Sequence, residues 1–149
     1  MPKKGKKKKP TQKITPPPKR QPRGIKKVES IEFNRIAWHL RIVDKEGPWG
    51  WNSVDQTTFW KVIFPKISNF ETMTYNKILG RTHHEVLVSR ICKRAQGRLE
   101  EIEQDDTDQL VSFHIGGKKV IWGIRDQNIF KVLWWDPNHE ICPSAKKHT

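Results

Sequence analysis

Hydrophobic and polar residues alternate from Ile31 to Val43. Ile36, Trp38, Leu40 and Ile42 fall on one side of an extended chain, and Arg35, Ala37, His39 and Arg41 on the other. A period of two predicts a half-buried strand with one basic face. Gly47-Pro48-Trp49-Gly50-Trp51 ends it in a turn. Ser53 and Gln56 have the spacing of a capping box, so a helix should follow, burying Phe59, Trp60, Ile63 and Phe64 until Pro65 ends or kinks it. Glu71 to Leu79 predicts a short second helix stopped by Gly80. Leu87, Ile91, Ala95, Leu99 and Ile102 keep helical spacing and predict a third helix from about Glu85 to Glu103, with Cys92 as a small core residue inside it. The remainder reads as β. Gly116-Gly117 joins Leu110–Ile115 to Lys118–Arg125, and Asp126-Gln127-Asn128 turns the chain back through Ile129–Trp135 to a stop at Pro137. The order β-α-α-α-β-β-β predicts an α+β fold, with a mostly antiparallel sheet and helices packed on one face.

The turns set a register. A Gly116-Gly117 turn would place His114 opposite Lys119 and Phe113 opposite Val120. One face then carries Val111, Phe113, Ile115, Val120, Trp122, Ile124, Ile129, Leu133 and Trp135, with Lys131, and packs under the helices. The other carries Ser112, His114, Lys119, Ile121, Gly123, Arg125, Phe130, Val132, Trp134 and Asp136. If the first strand joins the sheet, Arg35, His39 and Arg41 line up with this second face. Cations, imidazoles and an exposed tryptophan on one face suit RNA: cations bind phosphates, aromatics stack on bases and histidines move protons near neutral pH. An ordinary solvated sheet face also carries Arg and Lys, but exposing Phe130, Val132 and Trp134 together argues against that reading.

Charge changes this picture only at the N-terminus. The formal net charge is +13, from 29 basic against 16 acidic residues. Residues 1–28 hold 12 of the basic residues, no acid, no aromatic and six of the ten prolines. Such a stretch buries too little apolar surface to offset its ordering entropy and is expected to be a disordered tail. A solvated tail, attraction to a polyanion such as nucleic acid or the ribosome, and a localisation signal are three readings of it. What is left, 17 basic against 16 acidic residues in a domain from 29 to 149, is nearly neutral. There, basic residues matter by placement. No apolar run reaches the ~18 residues of a membrane span, and the tail lacks the apolar core of a secretory signal. Two cysteines, Cys92 and Cys142, make no disulfide framework, and an intracellular, reducing, cytoplasmic location is expected.

The strand ending Arg125-Asp126-Gln127-Asn128-Ile129-Phe130, followed by an aromatic strand that breaks into Asp136-Pro137-Asn138-His139, resembles the RelE/ParE toxin superfamily and its HigB-like members. The resemblance spans about Ile31 to Ser144, and its specific part is Lys118 to Ser144. It implies a small, metal-independent mRNA endonuclease without a cofactor. It also implies control by a protein antitoxin and action on RNA, on or off the ribosome. In such a reaction the ribose 2′-OH attacks the adjacent phosphorus and leaves a 2′,3′-cyclic phosphate. The protein must take one proton, give another and stabilise charge on phosphorus. The residues matching these roles are Lys119 and Arg125 as phosphate stabilisers and His139 beside Asp136 as acid or base, with His84 able to reach the same sheet end. Arg35, His39, Arg41, His114 and Trp134 would bind the RNA. Two features depart from the family, the third helix and the basic tail. The only tyrosine, Tyr75, falls in a helix, so a tyrosine-assisted mechanism finds no match.

His83, His84, His139 and Cys142 could be drawn together as a metal site, but His139-x₂-Cys142 without a second close pair is a weak signal. His83 and His84, being adjacent, point to two sides, so at most one serves a site. The alternative function is a non-catalytic module that binds RNA, the ribosome or a protein through the same basic face.

Overall fold

The computed structural model describes residues 34–80 and 83–143; the stretch read as a basic tail lies outside them. Strand β1 is Ala37–His39. A helical run follows: α1 (Gln56–Thr58), a π-helical segment (Phe59–Ile63) and α2 (Phe64–Phe70). Then come α3 (Tyr75–Ile78), β2 (His84–Leu87), α4 (Lys93–Glu101), β3 (Gln109–Gly116), β4 (Lys119–Asp126) and β5 (Ile129–Asp136). The sheet order is β1-β5-β4-β3-β2, with β1 parallel to β5 and every other pairing antiparallel. The fold is α+β with a mostly antiparallel mixed sheet, and the helices precede the C-terminal hairpins. Among the described residues no helix is long and apolar enough to cross a membrane.

Three elements differ from the sequence reading. The first strand is shorter than Ile31–Val43, because the chain turns at Leu40 (Val43 N–H to Leu40 O, 3.2 Å) and sends Asp44 into the interior. The helix start is set two residues late. Asp55, not Ser53, is the cap, its carboxylate accepting from Thr58 N–H at 3.1 Å, while Ser53 Oγ donates to Gly50 O. Pro65 does not end the run. It sits in the first turn of α2, just after the π segment, where its missing N–H is tolerated. The third helix starts late as well. Its first turn is instead the edge strand β2, paired with β3, in which Val86 faces inward. Sheet pairing of a β-branched residue overrides the helical spacing there. Cys92 is therefore the N-cap of α4 and half-buried.

Both faces of the sheet are covered, so the helices are not confined to one. Val111, Phe113, Ile121, Phe130, Val132 and Trp135 pack with Ile63, Phe70, Tyr75 and Ile78 of the helical run and α3. Leu110, Val120, Trp122, Leu133 and Trp134 pack with Ala95 and Leu99 of α4, Trp49 and Ile141. Two β-bulges produce this. One lies between His114 and Gly116, so His114 pairs with Val120 and Phe113 with Ile121. The other lies opposite Trp122/Gly123, leaving Leu133 as the extra residue. A one-residue shift exchanges every side chain between faces, so Phe113 and Trp122 leave the shared face expected for them. Phe130, Val132 and Trp134 are at most 6% exposed. The open face inferred from simple alternation is absent.

Candidate functional site

The second face does open at one edge. Beside β2, where Ser112, His114 and Trp122 end their rows, lies a groove of about 500 Å³. His84, Arg90, His139 and Cys142 line it as well. The imidazole of His114 lies 5.7 Å from that of His84 and 5.4 Å from that of His139, between ring centroids. His84 is placed by β2, His114 by β3, and His139 by the turn after β5.

Hydrogen bonds fix two tautomers. His84 Nδ1 lies 3.1 Å from Gly80 O, so that nitrogen donates, and neutral His84 turns Nε2 outward as an acceptor. His83 Nδ1 accepts from His114 N–H at 2.9 Å, so the proton of neutral His83 is on Nε2. The two neighbours diverge as adjacent residues of an extended chain must. His83 packs between Phe70 and Phe113 at 4.9 and 5.6 Å, whereas His84 lines the groove. Burial, and then the charges of His114, His84 and Lys66, push the His83 pKa down to about 4. Burial, followed by His139 and His84, also lowers that of His114. His114 is accordingly an unprotonated imidazole at neutral pH, able to accept a proton.

Several residues assigned from the sequence have other roles. Asp136 is fully buried and holds the C-terminal turn. Its carboxylate accepts from Trp122 Nε1 (3.2 Å), Glu140 N (2.9 Å) and Ile141 N (3.0 Å). A carboxylate with these three donors positions His139 rather than exchanging protons with a substrate. Trp134 is fully buried and donates to Asp44 at 2.9 Å, so it stacks on no base. Asp44 is also clasped by Arg98 through Nε and Nη2, each at 2.8 Å. Arg125 belongs to the opposite face. Its guanidinium lies 3.6 Å over the Tyr75 ring and pairs with Glu85 at 2.9 Å. Lys119 is six residues away on the same strand, ~20 Å along it, so the two cannot meet one phosphate. Arg35, His39 and Arg41 are exposed at the β1 edge, three strands or roughly 14 Å across the sheet from His114 and further once the offset along the strands is added. The structure thus brings together His84, His114 and His139 and engages Asp136, Trp134 and Arg125 in other contacts.

Sequence reasoning passed over Arg90 as a groove residue and brought Cys142 near His84 and His139 only as a weak metal reading. Arg90 had the right charge, but the expected third helix placed it on a solvated helix face. Among the described residues no three His, Cys, Asp or Glu side chains converge as a metal-binding group. No protein-family model, curated protein or solved structure matches this chain.

Proposed function

We propose that the groove cleaves RNA without a metal, by attack of a ribose 2′-OH on its neighbouring phosphorus. The observation that carries this reading is the row of three imidazoles at 5.4 and 5.7 Å spacing, with the central one held neutral. General acid–base cleavage needs a neutral base and a protonated acid on either side of one phosphate. Neutral His114 takes the 2′-OH proton as the 2′-oxygen bonds to phosphorus. The P–O5′ bond breaks, and a protonated His139 gives its proton to the leaving 5′-oxygen. The products are a 2′,3′-cyclic phosphate and a 5′-hydroxyl. Arg90, at the groove wall, offers charge to the non-bridging oxygens. This is the reaction that the RelE/ParE resemblance implies, moved from Lys119, Arg125 and Asp136 onto the histidine row.

The test uses purified full-length protein and single-stranded RNA in excess EDTA, with end-group mapping for 2′,3′-cyclic phosphate. Each general acid or base contributes ~10²–10⁴-fold, so His114→Gln and His139→Gln should each lose at least about 100-fold. Arg125→Ala should keep the activity of whatever fraction folds. Uncut RNA with the wild-type protein, or cutting that survives both histidine substitutions, overturns the reading. A second reading is a non-catalytic module that docks a protein. Leu40, Trp60 and Phe64 favour it, exposed at 66%, 58% and 44%, with the Trp60 and Phe64 rings 5.1 Å apart.

A further inference from the structure

The chain's two cysteines, 50 positions apart in sequence, come together beside the groove, which Cys142 lines. Cys92 N–H donates to Ile141 O at 2.7 Å. In a trans peptide the carbonyl oxygen is cis to the next Cα, about 2.8 Å from it. That hydrogen bond therefore brings the Cα atoms of Cys92 and Cys142 to roughly 5–6 Å, inside the range that a disulfide spans. Both side chains are half-buried against the same apolar cluster, that of Trp49, Ile91 and Ile141. Cys142 Sγ lies 3.8 Å from Arg90 O, a weak contact that a rotation about its Cα–Cβ bond gives up. Neither sulfur is tied up elsewhere in a disulfide.

We propose that Cys92 and Cys142 form a reversible intramolecular disulfide that fastens the His139-bearing turn to the start of α4. The oxidant is a low-molecular-weight disulfide such as oxidised glutathione. The thiolate of Cys142, which lines the groove, attacks one of its sulfurs, forming a mixed disulfide and releasing one reduced thiol. The thiolate of Cys92 then attacks the Cys142 sulfur, closing the protein disulfide and releasing the second reduced thiol. Two protein thiols are oxidised and one small disulfide is reduced. Burial raises the Cys142 pKa, so the first step is slow near neutral pH and speeds up as the medium becomes alkaline.

The bond would act on a segment now held by the three Asp136 hydrogen bonds and the Cys92–Ile141 hydrogen bond. It closes a loop of about 50 residues that contains β3, β4 and β5, so it removes freedom chiefly from open states of the turn. The inference stands whether or not the groove cleaves RNA.

The experiment treats full-length protein with oxidised glutathione under native conditions. Intact mass, labelling with a maleimide after unfolding, and peptide mapping then follow. The expected product is a monomer about 2 Da lighter, the mass of two hydrogens, with no thiol left to label and one peptide pair linked through residues 92 and 142. Dithiothreitol should restore both thiols. Hydrogen exchange at the amides of Glu140 and Ile141 should slow at least several-fold in the oxidised form and return on reduction. Cys92→Ser should stop at a stable glutathione adduct on Cys142. Two free thiols after treatment that modifies the same protein once unfolded, or links only between chains, overturn the proposal. So does a mapped disulfide that leaves the exchange of Glu140 and Ile141 unchanged, because the turn would then not be fastened.

Discussion

Replacing Arg98 with Ala would leave a carboxylate stranded in the interior. Asp44 is 5% exposed, and the Arg98 guanidinium gives it two hydrogen bonds at 2.8 Å each; without Arg98 only the neutral Trp134 and Glu46 N–H donors would remain. Removing one partner of a buried charge pair costs about 3–5 kcal/mol, because the other charge stays out of water uncompensated. The exposed Glu101 partner of Arg98 adds little, and Glu101→Ala should cost less than ~0.5 kcal/mol. Tryptophan fluorescence during urea unfolding reads the difference. With a slope of ~1–3 kcal/mol per molar urea, the midpoint of Arg98→Ala should fall by roughly 2 M. The pH dependence is a sharper check. In the wild type, burial tends to raise the Asp44 pKa, but the hydrogen bonds from Arg98 and Trp134 and the Arg98 charge outweigh it and hold it below the ordinary range. A depressed folded-state pKa gives stability that is present above the unfolded value, about 4, and is lost as pH falls through the folded one. Without Arg98, burial prevails and the carboxyl pKa rises. The variant then gains stability relative to wild type as acid protonates Asp44. The deficit should therefore shrink between pH 7 and about pH 4.5. A deficit under ~1 kcal/mol, or one equal at both pH values, would refute the reasoning.

Asp136→Ala orphans two buried donors and one part-buried donor at once and should cost about 3 kcal/mol, with faster proteolysis in the turn 137–143; a loss within ~1 kcal/mol would restore Asp136 as a candidate for chemistry. Gly123→Ala puts a methyl group into the Lys131 carbonyl and the Phe130 ring at the second bulge, and urea unfolding should show a loss of ~1–3 kcal/mol or more, since the carbonyl belongs to the neighbouring strand and cannot yield. Tyr75 is the only tyrosine, so tyrosinate absorbance follows it alone. Burial raises its pKa to about 12, with Glu85 helping, against the opposing charge of Arg125. The neutral phenol is favoured in the folded state, so this contribution is intact below the unfolded value of about 10 and lost as pH rises through 12. A midpoint near 10 in the native protein would contradict the packing of Tyr75 under Arg125.

Much of the architecture was legible along the chain. The terminal meander was readable because Gly116-Gly117 and Asp126-Gln127-Asn128 are turn chemistry flanked by apolar alternation. The apolar stripe of Ala95 and Leu99 marked α4 correctly, though not where it began. The site was less legible. His84 and His139 were candidates at a common sheet end, and both line the groove. Asp136 and Trp134 were read as exposed because strict alternation carried them to an open face. The bulge at Leu133 keeps Phe130 and Val132 with the first core and hands Trp134 to the second. Arg125 looked available for a phosphate only because Tyr75 and Glu85, from elements 40 to 50 residues away, were not yet seen against it.

The sequence alone determined the α+β class, the C-terminal strands and the near-neutral charge outside residues 1–28. These follow from local periodicity, turn residues and counts, which need no knowledge of distant partners. Tertiary structure decided which face each strand residue occupies, which charges are paired and which imidazoles meet. A period of two is unforgiving, so one extra residue in a strand reverses every assignment beyond it. Two such residues, Ile115 and Leu133, divided the residues of each supposed face between two cores. The opening that remains is a groove at the β2 edge, lined by three histidines from three separate elements.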